Sequence, residues 1–418
     1  RTTTRIRILI MKFRDYQEEI IAKSIDVLGE HGFVYLAMEV RTGKTLTSMG
    51  IAEGMGMKSM LFITKKKAIS SIESDYKMYG PSFDLQVINY ESLHKVQGKF
   101  DIIVLDEAHG MGAFPKPSKR SKQVKVLIQS NDPLVILLSG TPTPESYSQM
   151  YHQVYSIPTN PFKKFVNFYR FCHEHVNVTQ RPINGLYIRD YSKGLPSIMD
   201  AMQPYFISFS QKEAGFKVDT KEKVMYVKMS PLTYNLAKKL QSDLVVEGKE
   251  EVILADTPVK LMMKLHQIFS GTVKFESGSS QTLDLSKAKF IKNSFKNKKI
   301  GIFYKFKEEL KALKMVFNDS LTTDLEDFVN TDKSIALQIV SGREGISLRQ
   351  ADCLVYYNID FSATSYWQSR DRMTTKERLK NDVYWIFSKG GIEDQIYKAV
   401  VNKKDYTLNH FKKDLLNL

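Results

Sequence analysis

The stretch Leu36–Ser48, LAMEVRTGKTLTS, decides how the chain is read. The apolar run FVYLA (Phe33–Ala37) that leads into it has the length and composition of a buried strand. Gly43-Lys44-Thr45 follows, and then a helical pattern through Met49, Ile51 and Ala52. Strand, tight loop and helix make a phosphate cradle, because the loop N–H groups and the helix N-terminus face the same anion. In that arrangement Thr42 and Gly43 shape the loop, Lys44 reaches the β- and γ-phosphates, and the Thr45 hydroxyl holds Mg²⁺. The usual phosphate-loop string has a first glycine five residues before Gly43. Met38 stands there instead, so the match is partial, and an ordinary strand-to-helix turn reads the same way in isolation.

The context comes at Asp101–His109, DIIVLDEAH. IIVL is a second buried strand, and it ends in two carboxylates. Asp106 suits the Mg²⁺ that Thr45 also holds, and Glu107 suits polarising the attacking water. A carboxylate pair after a strand is by itself a solvated loop. Two strand-end motifs in this order point to ATP and Mg²⁺ as cofactors.

Flanking segments add to this. FRDYQEEIIAKSIDVLGE predicts an amphipathic helix from about Asp15, with Ile20, Ile21, Ile25 and Leu28 on one face. Gln17, before the phosphate-loop strand, is placed to read the adenine edge as donor and acceptor at once. MLFIT predicts a strand, followed by the basic run Lys65-Lys66-Lys67. LQVINYESLHK predicts another strand, ending at Tyr90-Glu91. Gly, Pro and Lys/Arg dominate the segment after His109, which reads as a mobile basic loop. LVILLSGTPTPES is a strand followed by Ser139-Gly140-Thr141-Pro142, small hydroxyl residues suited to relaying nucleotide state, with His109, away from the carboxylates.

Taken together, these motifs resemble superfamily 2 helicase-type motors, and within them the Swi2/Snf2-like group. That group carries Leu-Ala-x-Glu before Gly-Lys-Thr, as Leu36-Ala37-Met38-Glu39 does here, and Gly-Thr-Pro as its third motif, matched by Gly140-Thr141-Pro142. The resemblance covers about residues 13–405. It implies helical protrusions near 146–205, where YSQMYHQVYSI, FVNFYRF and SIMDAMQPYF are aromatic-rich and broken by prolines. Cys172-His173-Glu174-His175 lacks a partner pair and reads as structural rather than as a zinc site. KIGIFYKFKEELKAL resembles the fourth motif. Ser341-Gly342 with Gly345-Ile346-Ser347-Leu348 resembles the fifth, where backbone and hydroxyls meet DNA phosphate. SYWQSRDRMTTKER resembles the sixth, in which Gln368 and Arg372 match. Thr375 departs from that pattern, where a second arginine is usual, and Arg370 is the expected substitute.

The fold class this implies is α/β: two RecA-like lobes with mostly parallel sheets and helical insertions between them. Lobe one is expected over 11–222, with its insertion at 146–205. Lobe two is expected over 223–418, with an insertion near 230–275 and a C-terminal helix. Residues 1–10 are read as a tag, a processed end or an added strand. Lobe two is expected to supply Arg372 and Arg370 to the γ-phosphate, with Gly345 and Gln368 also at the nucleotide. DNA is expected on Lys65, Lys66, Tyr90, Tyr304, Lys305, Ser341, Gly342 and Arg343.

Composition agrees with such a partner. The 418 residues are 42% hydrophobic, enough for two or three cores, and the net charge of +15 favours a polyanion. Two cysteines, Cys172 and Cys353, do not make a disulfide framework and suit a reducing cytosol. No apolar run approaches the ~20 residues of a membrane span. No RING, zinc-finger, chromatin-reader or nuclease motif is visible in the string, which favours a compact phage-type motor working in the cytoplasm, on forked, branched or duplex DNA. Three activities compete: remodelling of branched DNA by branch migration, translocation on duplex without unwinding, and an ATP-gated DNA clamp with weak turnover.

Overall fold

The computed structural model describes residues 12–183, 186–215, 219–248, 251–339, 347–362, 365–366, 369 and 380–402. The expected extension at 1–10 lies outside them. The chain divides into two compact units, Arg1–Gly215 and Phe216–Leu418.

The first unit is built on β1 (Phe33–Met38), β2 (Ser59–Thr64), β3 (Asp84–Asn89), β4 (Ile102–Leu105) and β5 (Leu134–Leu138), with β6 (Thr179–Ile183) and β7 (Leu186–Asp190) standing apart and β8 (Phe206–Phe209) closing one edge. The sheet order is β3-β2-β4-β5-β1-β8, and each pairing is parallel. Strand alternation divides the apolar side chains between two faces. Phe33, Tyr35, Leu61, Ile63, Ile103, Leu105, Val135 and Leu137 join one core. Val34, Leu36, Met60, Phe62, Ile102, Val104, Ile136 and Leu138 join the other. Continuous apolar runs such as IIVL therefore mark a sheet covered on both sides.

Helices α1 (Asp15–His31), α2 (Lys44–Gly54) and α3 (Ile69–Tyr79) cover the second face. Ile20 and Leu28 of α1 are buried there, with Ile21 and Ile25 packed at the margin. Helices α4 (Lys119–Asn131), α5 (Met150–Val154), α6 (Phe168–His175) and α7 (Ser197–Met202) cover the first face. Ser118 caps α4 through Ser121 N, so the basic segment after His109 becomes helix at Lys119. The region 146–205 is not wholly helical: β6 and β7 form an antiparallel hairpin inside it. Its signal was Asn184-Gly185 between short apolar runs, the dipeptide that fits a two-residue hairpin turn.

The second unit repeats the plan with β9 (Asp219–Val227), β14 (Ile300–Tyr304), β15 (Leu321–Thr322), β16 (Ser334–Gln338), β17 (Cys353–Tyr356) and β18 (Lys380–Ser388). Its sheet order is β15-β16-β14-β17-β18-β9, parallel at each pairing. Strand β9 is whole within this unit, although the expected lobe boundary at 222/223 falls inside it. Helices α8 (Pro231–Asp243) and α9 (Pro258–Phe269) flank the hairpin β10 (Val245–Glu247) and β11 (Val252–Leu254), so the expected insertion near 230–275 is likewise mixed. A small hairpin, β12 (Thr272–Lys274) and β13 (Ser280–Thr282), precedes α10 (Ser286–Ser294), α11 (Lys307–Phe317) and α12 (Leu325–Asn330), and the last described helix is Glu393–Val401. Within this core Lys287 and Glu393 are fully buried and paired at 2.7 Å, and Lys287 also donates to Tyr357 O. The two RecA-like α/β units match the expected fold class. Among the described residues no helix is long and apolar enough to cross a membrane.

Candidate nucleotide site

Parallel strands deliver their C-terminal ends to one edge of a sheet, where ligands of such folds bind. In the first unit that edge collects the loop after β1, the Asp106-Glu107 pair after β4 and the Ser139–Pro142 segment after β5. Gly43 holds φ +86°, a left-handed value that favours glycine, and opens α2 directly at Lys44. Lys44 Nζ donates to Met38 O at 2.9 Å and to Glu39 O at 3.3 Å. It also faces Gly140, where an added Cβ would stand 3.7 Å away. Thr45 lies half-buried in the first turn of α2. Thr42 is buried, and its hydroxyl donates to Glu39 O at 2.7 Å, closing the loop on itself.

Asp106 Oδ2 accepts from the Thr64 hydroxyl at 2.7 Å. Burial pushes the Asp106 carboxyl up to about 6, the Glu107 charge pushes the same way, and Thr64 and Lys44 pull it down. Glu107 itself sits at φ 51°, left-handed for a residue with a side chain, a strain that functional sites often hold. That turn sends its carboxylate toward His109, whose Nδ1 lies 3.3 Å from Glu107 Oε2 and 2.9 Å from Ser139 Oγ. Ser139 Oγ in turn accepts from Thr141 N at 3.1 Å. The expected coupling residues His109, Ser139 and Thr141 are thus in one contact chain with Glu107.

The donor set fits Mg²⁺-ATP. The cradle offers a lysine, a hydroxyl in the first helical turn and a paired carboxylate, and the Thr141 hydroxyl is buried with no hydrogen-bond partner among the described residues. Mg²⁺ takes one or two carboxylates plus phosphate oxygens rather than an all-protein cage. No group of three or more His, Cys, Asp and Glu suited to a metal occurs among the described residues. Cys172 is instead a core residue, Glu174 pairs with Lys164, and His175 Nδ1 meets Ser197 Oγ.

The sequence model of the SNF2-related domain matches residues 39–277, more than half of the chain. The chain belongs to the SNF2-related domain family. It is an Snf2-like member of the superfamily 2 helicases and translocases. Among solved structures, a Sulfolobus solfataricus SWI2/SNF2 ATPase core in complex with dsDNA aligns at 16% identity and a TM-score of 0.43, over 97% of this chain and 93% of that one. The ATPase core domain from the same organism aligns at 16% identity and a TM-score of 0.40, over 96% and 92%. No curated protein matches.

Several expected contacts of this SNF2-related chain lie elsewhere. Gln17 is buried: its Oε1 accepts from Arg14 N at 3.1 Å and its Nε2 donates to Thr47 Oγ1 at 3.2 Å and Gly43 O at 3.4 Å. Its amide joins α1 to the phosphate loop. Tyr90, expected on DNA, is 2% exposed, and its hydroxyl donates to Asp106 O at 2.7 Å. Its ring lies under the Arg120 guanidinium. Lys305, also expected on DNA, is bound to Asp360 in a largely buried ion pair, and Tyr304 beside it is half-buried against the second unit's core. Lys66 is exposed and Lys65 half-buried, just past β2. The expected site residues Ser341, Gly342, Arg343, Gly345, Gln368, Arg370 and Arg372 lie outside the described residues, as does Thr375.

Two buried residues at the site were not foreseen. Tyr35, on β1, donates to Gln153 Oε1 at 2.6 Å, and Gln153 Nε2 donates to Pro142 O at 2.8 Å. Burial drives the Tyr35 phenol well above its ordinary range; the Ser139 hydroxyl draws it down and the Glu107 charge raises it. A tyrosine amid FVYLAM was the available signal, because a buried phenol needs a partner.

Proposed function

We propose that this SNF2-related chain is a DNA-dependent ATPase that moves along DNA and remodels forked or branched molecules in replication, recombination or repair. The observation that carries the ATPase half is the contact chain from Glu107 through His109 to Ser139 and Thr141, at the edge that also holds Lys44, Thr45 and Asp106. In this reading Lys44 would turn from Met38 O to the β- and γ-phosphates, and Thr45 and Asp106 would hold Mg²⁺. Glu107 takes a proton from the attacking water. Bound Mg²⁺-ATP supplies the phosphoryl group and the charge that the metal neutralises. His109 reports the protonation of Glu107 to Ser139, and the Ser139–Pro142 segment passes it on.

The DNA half rests on family membership and on the +15 charge. Phosphate contact should dominate the grip, so binding should be salt-steep and weakly dependent on sequence. The test compares ATPase rates with single-stranded, linear duplex, forked and four-way DNA, and with RNA. Branched DNA is expected to stimulate most. Equal stimulation by linear duplex would favour translocation without remodelling, and weak turnover on every DNA would favour an ATP-gated clamp.

A further inference from the structure

Strands β6 and β7 form a two-stranded sheet of their own. The ladder continues toward its root: Asn177 N donates to Lys193 O, Val176 faces Gly194 in an antiparallel bridge, and Leu195 N donates to His175 O. The root is fixed in the first unit. Phe171, Cys172 and Val176 are buried in its core, and Ser148 Oγ donates to Tyr191 O at 2.7 Å. A Cβ on Gly194 would stand 2.5 Å from Ser148 N, so the two backbones touch and glycine is required.

The far half is different. Tyr187 is 74% exposed, Ile188 is 50% exposed, and Arg189 is exposed beside them. An isolated two-stranded ribbon is marginal in water, and strand alternation puts Tyr187 and Arg189 on one face of it and Ile188 on the other, so each face presents one exposed apolar side chain. Its chemistry selects the partner. In the sequence Tyr187 and Ile188 stand directly before Arg189. Lys163, Lys164, Arg170, Arg181, Arg189 and Lys193 outnumber the acids Glu174 and Asp190 in this region, and Glu174 is already paired with Lys164. Cations in excess suit phosphate. A tyrosine and an isoleucine suit base faces, since stacking needs only a π-face, whereas reading groove edges needs donors and acceptors. Base faces are open to a side chain where a duplex ends or divides.

Resting on the reading of the chain as a DNA motor, we infer that the β6–β7 ribbon is a contact for the junction between duplex and single strand, with Tyr187 stacked on the bordering base pair, Ile188 packed against the adjacent base, and Arg189 and Lys193 on flanking phosphates. The substrate class is therefore branched or partly opened DNA. The wedge chemistry is that of apolar side chains set between base steps.

The test uses the full chain, a Tyr187→Ala/Ile188→Ala double variant and a Tyr187→Trp variant. The probes are a forked duplex with 2-aminopurine at the junction and a linear duplex of the same sequence with the base analogue in its interior. Both sites are exposed, and circular dichroism checks that the variants fold. Wild type should bind the fork and brighten the junction probe. The double variant should lose on the order of tenfold in fork affinity and most of the brightening, with the loss confined to the fork. Tyr187→Trp should restore both. If wild type acts on forks and the double variant matches it, the ribbon does not touch DNA. Equal loss on fork and linear duplex would make it an ordinary duplex contact. If wild type itself hydrolyses ATP on DNA but ignores the fork, the branched-DNA reading fails first and takes the junction contact with it.

Discussion

The Tyr35 hydroxyl donates to Gln153 Oε1 across 2.6 Å, and neither side chain reaches solvent. Gln153 spends its amide nitrogen on Pro142 O and Gln149 O, so the segment after Ser139 is held by His109 on one side and by α5 on the other. Removing the phenol oxygen strands a buried carbonyl. Tyr35→Phe should cost ~1–3 kcal/mol of stability. Its larger effect should fall on DNA-stimulated ATPase, with basal ATPase less changed. Melting curves and ATPase rates with and without duplex DNA check both; equal loss of basal and stimulated rates would make Tyr35 merely structural.

Lys44 and Glu107 should fail in different ways. Lys44→Ala removes the cation that meets the phosphates and should abolish turnover while DNA binding persists. Glu107→Gln keeps the fold of the turn and the metal ligand but removes the base, so it should retain ATP without hydrolysing it. Filter binding of radiolabelled ATP and single-turnover hydrolysis separate the two. Near-normal turnover in Lys44→Ala would rule out the phosphate-loop assignment.

Asp106 predicts a pH dependence. Its carboxyl sits at about 6 against an ordinary 3.8, chiefly through burial. A metal must displace that proton, so the apparent Mg²⁺ requirement should rise as pH falls through about 6. Stability runs the other way. A raised carboxyl pKa favours the folded state most below the ordinary value, and that advantage is lost as pH rises through the folded value. Asp106→Asn should therefore gain on the order of 1–3 kcal/mol over wild type at neutral pH while losing ATPase. Thermal melts from pH 4 to pH 8 should show the gap opening between about 4 and about 6.

The buried pair Lys287–Glu393 gives a test in the second unit. Breaking it from one side leaves an uncompensated charge, and Lys287→Met or Glu393→Leu alone should cost ~3–5 kcal/mol. The double variant Lys287→Met/Glu393→Leu should recover much of that loss in urea titrations. Additive losses would mean that the pair is not coupled.

The parts of the structure with a regular period were legible in the sequence. FVYLA, MLFIT, IIVL and LVILL are strands because both faces of each are covered, and Lys44, Asp106 and Glu107 lie in the segments that follow them. What escaped notice depends on contacts between residues far apart in the chain. The Gln17 amide suits an adenine edge, and nothing local reveals that Arg14 N, Thr47 and Gly43 also meet it. Tyr90 looked exposed at a strand end, and its burial depends on Arg120 and the Asp106 carbonyl arriving from other elements. Lys305 was expected on DNA, and its partner Asp360 comes from the loop after β17, the strand beside β14. The hairpin at 179–190 carried a turn dipeptide that the surrounding aromatic helices obscured.

The seating of Gly194 on Ser148 has a mechanical side. Ser148 follows shortly after Gly140-Thr141-Pro142, so the ribbon's root rides on the chain segment that leaves the nucleotide edge. From Val176 to Ile183 the strand spans about 24 Å at ~3.4 Å per residue. A tilt of roughly 8° at that root would carry Ile183 through about 3.4 Å, the rise of one nucleotide. A rotation that small beside Thr141 would suffice to displace the ribbon by about the rise of one nucleotide.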